Sequence, residues 1–149
     1  AGRIWFPVLH HIVMEYLLTI PGGLDGLNAY LKEVRSSRRK AARMKSDNET
    51  AVIYAARHCL CGAGFRKPVY MEYTWYEKDR RRDKDNISSF GRKVIQDALV
   101  QAGFLKDDGW DEIDGFSDDF RVDPGNPRIE VLIREVEVVP QMGTGTTSC

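Results

Sequence analysis

Between residues 69 and 102 the apolar pattern changes its period, and this most limits the folds open to the chain. Val69, Met71, Tyr73 and Trp75 alternate with Tyr70, Glu72, Thr74 and Tyr76. A period of two belongs to a strand, and this density of aromatic and branched residues suits an interior one. Further on, Ile87, Phe90, Val94, Ala98 and Gln101 or Ala102 recur every three or four positions. That is one apolar stripe of a helix, stopped at Gly103, with Asp85 or Asn86 available to cap its start.

The rest of the chain extends the pattern. Glu15–Ile20 reads as a short strand halted by Pro21-Gly22-Gly23, and Leu24, Leu27, Leu31 and Val34 predict a helix over about Asp25–Arg35. The basic stretch Arg35–Lys45 has little apolar content. Ser46 or Asp47 then looks like the N-cap of a second helix that runs to about Leu60, before Gly62 and Gly64. Phe104–Ile113 reads as a loop, with a weak strand at Asp114–Phe116 or Phe120–Val122. Asp123–Pro127 is a turn, and Arg128 to about Val138 is a last strand. Strand, helices, strand, helix, strands predicts a small α/β (α+β) domain, a mixed sheet packed against helices.

At 149 residues and 42% hydrophobic, the chain suits one domain with one core. It has no apolar run of about 18 residues that would span a membrane. Met14 is a candidate start, which would make residues 1–13 non-native; a genuine N-terminal arm is the rival reading. The Gly/Thr/Ser-rich segment 140–149 reads as a flexible tail. Cys59, Cys61 and Cys149 form no disulfide framework, which suits a reducing cytoplasm. His58, Cys59 and Cys61 lack the second ligand pair that a zinc site needs, so they read as a helix end.

Net charge is zero, yet the charges are segregated. Lys32–Lys45 holds seven basic residues (Lys32, Arg35, Arg38, Arg39, Lys40, Arg43, Lys45) against Glu33, whereas Asp107–Glu130 holds nine acidic residues against Arg121 and Arg128. Such regions make either a basic groove beside an acidic site or two solvated faces that partly neutralise each other.

Three groups of residues carry chemistry. If the preceding strand continues, Asp83 and Asp85 leave one face with Cα atoms roughly 6.5–7 Å apart, a spacing that suits a hard cation such as Mg²⁺. The helix that follows points its free N–H groups at the same place, which favours phosphate. The plainer reading is a capped helix after a charged turn. Asp107-Asp108 can add a carboxylate from a separate loop, or simply make a turn before Gly109. An EF-hand starting at Asp83 is excluded, because Ser88 and Val94 stand where Gly and Glu are required. Lys93 lies on one helical strip with Asn86, Ser89 and Asp97, so it either reaches a phosphate near the carboxylates or makes an i,i+4 pair with Asp97. Arg80, Arg81, Arg82 and Lys84 border the acidic pair as candidate phosphate contacts. Tyr73, Trp75 and Tyr76 read as core.

In order, Arg80-Arg81-Arg82-Asp83-Lys84-Asp85-Asn86, Asp97-Ala98-Leu99, Ala102-Gly103-Phe104 and Asp107-Asp108 resemble the RusA family of Holliday junction resolvases. That family shows an R-D-x-D-N start, a helix carrying a Lys and D-A-L, a Gly stop and a D-D pair. The match is densest from Arg80 to Ile113 and extends loosely to the strands at Glu15–Pro21, Val69–Tyr76 and the C-terminal end. The resemblance implies a RusA-like fold in which Asp83, Asp85 and Asp108 bind metal, Asp107 contributes and Arg82 contacts phosphate. It also implies a homodimer that uses Mg²⁺ or Mn²⁺ to nick opposite strands of a four-way junction symmetrically, in many cases encoded by a phage or prophage. One departure stands out. Where the family often has its helix lysine this chain has Ser89, and counting back from Asp97-Ala98-Leu99 places the lysine at Lys93. Four extra residues keep it on the same face but move it about 6 Å along the axis.

The expectation is therefore a Mg²⁺-dependent endonuclease for branched DNA in a bacterial cytoplasm. Asp83, Asp85, Asp108 and Lys93 would be catalytic, with Asp107 beside the metal. Arg80, Arg81, Arg82, Lys84, Arg38, Arg39, Lys40 and Arg43 would meet DNA. The alternatives are a non-catalytic DNA-binding phage protein on the same scaffold, or a nuclease for other branched DNA.

Overall fold

The computed structural model describes residues 10–62 and 64–138. In chain order the elements are β1 (His10–Pro21), α1 (Leu27–Ser36), α2 (Arg38–Cys59), β2 (Val69–Glu77), α3 (Lys84–Gln101), β3 (Ile113–Val122) and β4 (Arg128–Val138). The strands form one mixed sheet in the order β1-β4-β2-β3, antiparallel except for β2 and β3, which run parallel across α3. The chain is a small α+β domain, as its pattern predicts, and β2 is an interior strand.

The period-two alternation decides which face is covered. Val69, Met71, Tyr73 and Trp75 of β2 are buried with Leu18 and Ile20 of β1 and Ile129, Val131 and Ile133 of β4. Against them lie Val52, Ala55 and Ala56 of α2 and the α3 stripe Ile87, Phe90, Val94, Ile95, Ala98 and Leu99. Each large apolar side chain so buried contributes about 1.5–3 kcal/mol. The other face carries charge instead. Arg134 of β4 bonds to Glu15 of β1 and Glu72 of β2, and Arg128 stacks 3.7 Å from the centre of the Tyr76 ring. Tyr76 therefore leaves the core reading, while Tyr73 and Trp75 keep it.

Several boundaries depart from the pattern. β1 begins at His10, so residues 10–13 belong to the sheet rather than to an arm; residues 1–9 and the predicted tail 140–149 lie outside the described residues. α2 begins at Arg38 instead of near Ser46, capped by Ser37, whose side chain accepts from Lys40 N at 3.3 Å. Its first turns are rich in Arg, Lys, Ala and Met, which are good helix formers. Only Ala41 is buried among residues 38–47, so no stripe marked the helix. β3 is one continuous strand that spans both of the short stretches the sequence offered as alternatives. It is an edge strand whose residues are only half-buried or exposed, and the alternation fades accordingly. Gly103 does end α3. It takes φ +83°, while Phe104 N and Leu105 N both donate to Leu99 O.

Gly91 sets how closely α3 meets the sheet. A Cβ there would stand 2.8 and 2.9 Å from two carbons of the Trp75 indole, so only glycine allows this approach.

Candidate functional site

α3 starts one turn earlier than its apolar stripe. Asp83 is the N-cap, extended at φ −72° and ψ 163°, and its carboxylate accepts from Asn86 N at 2.8 Å. Asp85 lies in the first helical turn, exposed, with its carbonyl accepting from Ser89 Oγ at 2.7 Å. The two carboxylates therefore do not leave one face of an extended strand. Asp83 has the short polar side chain that satisfies a helix start, and this preference overrides any continuation of β2, which ends at Glu77.

The segment before α1 packs against this helix start. Asn86 Oδ1 accepts from Asn28 N at 2.8 Å, and Arg82 Nη1 donates to Leu24 O at 3.2 Å. Gly26 permits the approach, since a Cβ there would stand 2.7 Å from Asn86 Oδ1. Buried Asn48 ties the same segment to α2, accepting from Asp25 N and donating to Asp25 Oδ2 and Met44 O. Arg82 also binds Glu77 Oε1 through Nε at 2.8 Å and Nη2 at 2.7 Å. Its guanidinium is thus committed to protein groups on two sides, and it braces the helix start as much as it faces solvent.

Around it the surface carries both signs. A cleft of about 600 Å³ is lined by Arg80, Arg82, Lys84 and Arg121 together with Glu77, Asp79 and Asp83, with Ile87 and Phe120 as apolar wall. Lys84 Nζ lies 5.7 Å from the centre of the Phe120 ring. A second cleft, of about 520 Å³, borders the other side of Arg82 and takes in Lys78 and Arg81 beside Asp25, Glu77 and Asp79. Arg80, Arg81 and Lys84 are exposed, and so are Arg38, Arg39, Lys40 and Arg43 on the first two turns of α2. Among the described residues these four α2 cations make no ion pair, so their charge faces solvent.

Lys93 joins the acidic motifs. Its Nζ is 2.8 Å from Asp108 Oδ2 and 3.0 Å from Asp97 Oδ1, and Asp97 Oδ2 is 2.8 Å from Lys45 Nζ of α2. Lys45 also pairs with Glu49, which accepts from Gln101. The result is a line of alternating charges from α2 across α3 to the loop. Of the two charge-segregated regions only Lys45 and Asp108 take part, joined through Asp97 and Lys93. The carboxylate bonds raise both ammonium groups above their ordinary pKa, with Asp108 the main cause for Lys93 and Asp97 for Lys45. Asp108 N in turn donates to Asp107 Oδ1 at 2.8 Å. The i,i+4 pair that the sequence offered at Lys93 is present, together with a contact to Asp108 that it did not foresee.

Among the described residues no three His, Cys, Asp or Glu side chains gather closely enough to hold a metal ion. Asp83 is occupied as a cap and Asp108 is occupied by Lys93. The oxygen donors are of the kind Mg²⁺ takes, but as they stand they are not one ligating set. Sequence reasoning missed the brace at Arg82 and Glu77, Asn48, the Lys45–Asp97 contact and exposed Trp110. Only Trp110 had a signal, since it falls in no apolar period.

No protein-family model matches this chain, and no curated protein matches it in sequence. No helix among the described residues is long and apolar enough to cross a membrane.

Proposed function

We propose that this chain is a divalent-metal-dependent endodeoxyribonuclease that cuts branched DNA, with the four-way junction as its foremost substrate. On this reading it works as a homodimer in a bacterial cytoplasm, of phage or prophage origin. The observation that carries the reading is the 2.8 Å contact between Lys93 Nζ and Asp108 Oδ2. It brings together the helix lysine and the Asp-Asp loop, the two motifs that the RusA resemblance pairs in one site. The start of α3 supports it with the positive end of its dipole and the exposed cations Arg80 and Lys84, which favour phosphate, while Arg82 and Arg121 beside them are paired with Glu77 and Asp119.

On this reading the exposed cations Arg80, Arg81 and Lys84 and the first turns of α2 hold the sugar–phosphate chain, Arg82 keeps the helix start in place, and Lys93 offsets negative charge developing on the scissile phosphate. A divalent metal would supply Lewis acidity and an activated water. To take part in holding it with Asp83 and Asp85, Asp108 must exchange its partner Lys93.

The test is cleavage of a labelled four-way junction beside a linear duplex and a flap, in Mg²⁺, Mn²⁺ and EDTA. Paired symmetric nicks in the junction alone, lost in EDTA, are expected. Asp85→Asn should abolish cutting while leaving junction binding intact; full activity would sink the assignment of that carboxylate.

A second reading has its own support in the engagement of Asp83 and Asp108 within the protein. A non-catalytic DNA-binding protein on the same scaffold would give salt-dependent junction affinity with no cleavage in either metal.

A further inference from the structure

Lys93 holds Asp108 in a way that a divalent cation has to undo. Its Nζ lies 2.8 Å from Asp108 Oδ2 and 3.0 Å from Asp97 Oδ1. One ammonium thus bridges a carboxylate of α3 and a carboxylate of the loop before β3, neutralising both. A divalent metal ligated by the same Asp108 oxygen would lie within about 5 Å of that ammonium, and the two like charges repel strongly at this range. Lysine and metal are therefore rivals for Asp108.

The two ends of this bridge are held differently. Asp97 is one helical turn from Lys93 on α3, and its other oxygen is fixed by Lys45 Nζ of α2 at 2.8 Å. Asp108 lies on the loop, and among the described residues its side chain has no partner but Lys93. The Lys93 side chain is 59% exposed, so it has room to swing. It can release Asp108 and still keep Asp97. The structure therefore contains both a contested carboxylate and a place where the displaced lysine stays bound.

We propose that Lys93 is a built-in competitor for divalent metal at Asp108, a latch that keeps metal affinity low and that opens onto Asp97. The inference rests on the endonuclease reading and adds a regulation to its site. It also gives one residue two opposite effects. Removing the Lys93 ammonium should improve metal binding and, because the same charge serves the scissile phosphate, impair cutting.

The experiment titrates Mn²⁺ alone into the full chain, without DNA, and follows the free ion by electron paramagnetic resonance. Lys93→Met should tighten Mn²⁺ binding by roughly 5-fold or more, the effect of removing an ion-pair partner and a like charge beside the ligand oxygen. Lys93→Arg, which keeps the charge, should not. Asp108→Asn removes the contested carboxylate, so in that background Lys93→Met should leave Mn²⁺ affinity almost unchanged. Because Lys93 is exposed, circular dichroism of its variants should match wild type. Equal Mn²⁺ affinity in wild type and Lys93→Met would overturn the inference while leaving the nuclease reading intact. The same tightening with and without the Asp108 carboxylate would also overturn it, by reducing the effect to net charge. If no variant binds Mn²⁺ the inference falls, and junction cleavage in Mn²⁺ against EDTA decides the nuclease reading by itself.

Discussion

Replacing Gly91 by alanine tests how α3 is held against the sheet. The new methyl would stand 2.8 Å from Trp75 Cζ3 and 2.9 Å from Cη2. Carbon atoms rest about 3.5–4.0 Å apart, so the ring or the helix must give by roughly 0.7 Å. Trp75 is 1% exposed and stacked on Tyr73, whose ring centre is 5.6 Å away, so it has little room to move. Overpacking of this kind costs about 1–3 kcal/mol. Alanine is also the better helix former by about 0.8–1 kcal/mol. The balance is a net loss of about 1 kcal/mol, and the melting temperature should fall by about 3 °C. Thermal and urea unfolding would measure it. In a Trp75→Phe background, which removes the second ring that causes the crowding, Gly91→Ala should instead stabilise by up to about 1 kcal/mol. A higher melting temperature for Gly91→Ala alone, or the same change in both backgrounds, would refute the close approach as the reason for glycine. The variant also has a functional readout, since α3 carries Asp83, Asp85 and Lys93: displacing it should lower any nuclease activity more than junction binding.

The two roles of Asp83 separate by substitution. Asn caps a helix about as well as Asp, so Asp83→Asn should cost only the few tenths of a kcal/mol of charge at the helix end, whereas Asp83→Ala should lose about 1 kcal/mol. If the carboxylate serves metal chemistry, both variants should lose cleavage equally, and an Asp83→Asn protein that still cuts would confine the residue to capping. Stability should fall above about pH 10. Lys93 and Lys45 gain carboxylate partners on folding, and Tyr16 gains a bond to Glu135, so all three hold their protons more tightly when folded. Their contribution is complete below the unfolded values and disappears as pH rises through the folded ones. Unfolding followed from pH 8 to 11.5 would read it, and Lys93→Met with Lys45→Met should flatten the curve.

What could be read from the chain followed from how strongly packing marks each residue. β2 and the body of α3 bury one side against the core, and each shows the period of its backbone. The first turns of α2 bury only Ala41 and rely on helix propensity and the Ser37 cap, which leave no periodic signature. The same limit applies at the site. The positions of Asp83, Asp85, Lys93 and Asp108 along the chain were evident, but Asp83 as a cap and Asp108 as a partner of Lys93 depend on where a turn closes and how a loop folds back. Asn48 with Asp25 and Arg82 with the Leu24 carbonyl satisfy polar groups across distant segments, and local sequence carries no record of such partners.

The strand order has a consequence for biosynthesis. β4 is the last strand among the described residues yet lies between β1 and β2, pairing with the first from Pro21↔Arg128 to His10↔Val138 and with the second from Tyr76↔Arg128 to Val69↔Glu135. Until it is made, β1 has no neighbour in the sheet and β2 can pair only with β3. A nascent chain can close the β2-α3-β3 unit while still on the ribosome, but β1 must wait for the C-terminal residues to emerge. Premature stops ahead of Arg128 should therefore yield fragments that recruit chaperones or proteases rather than shortened folded proteins.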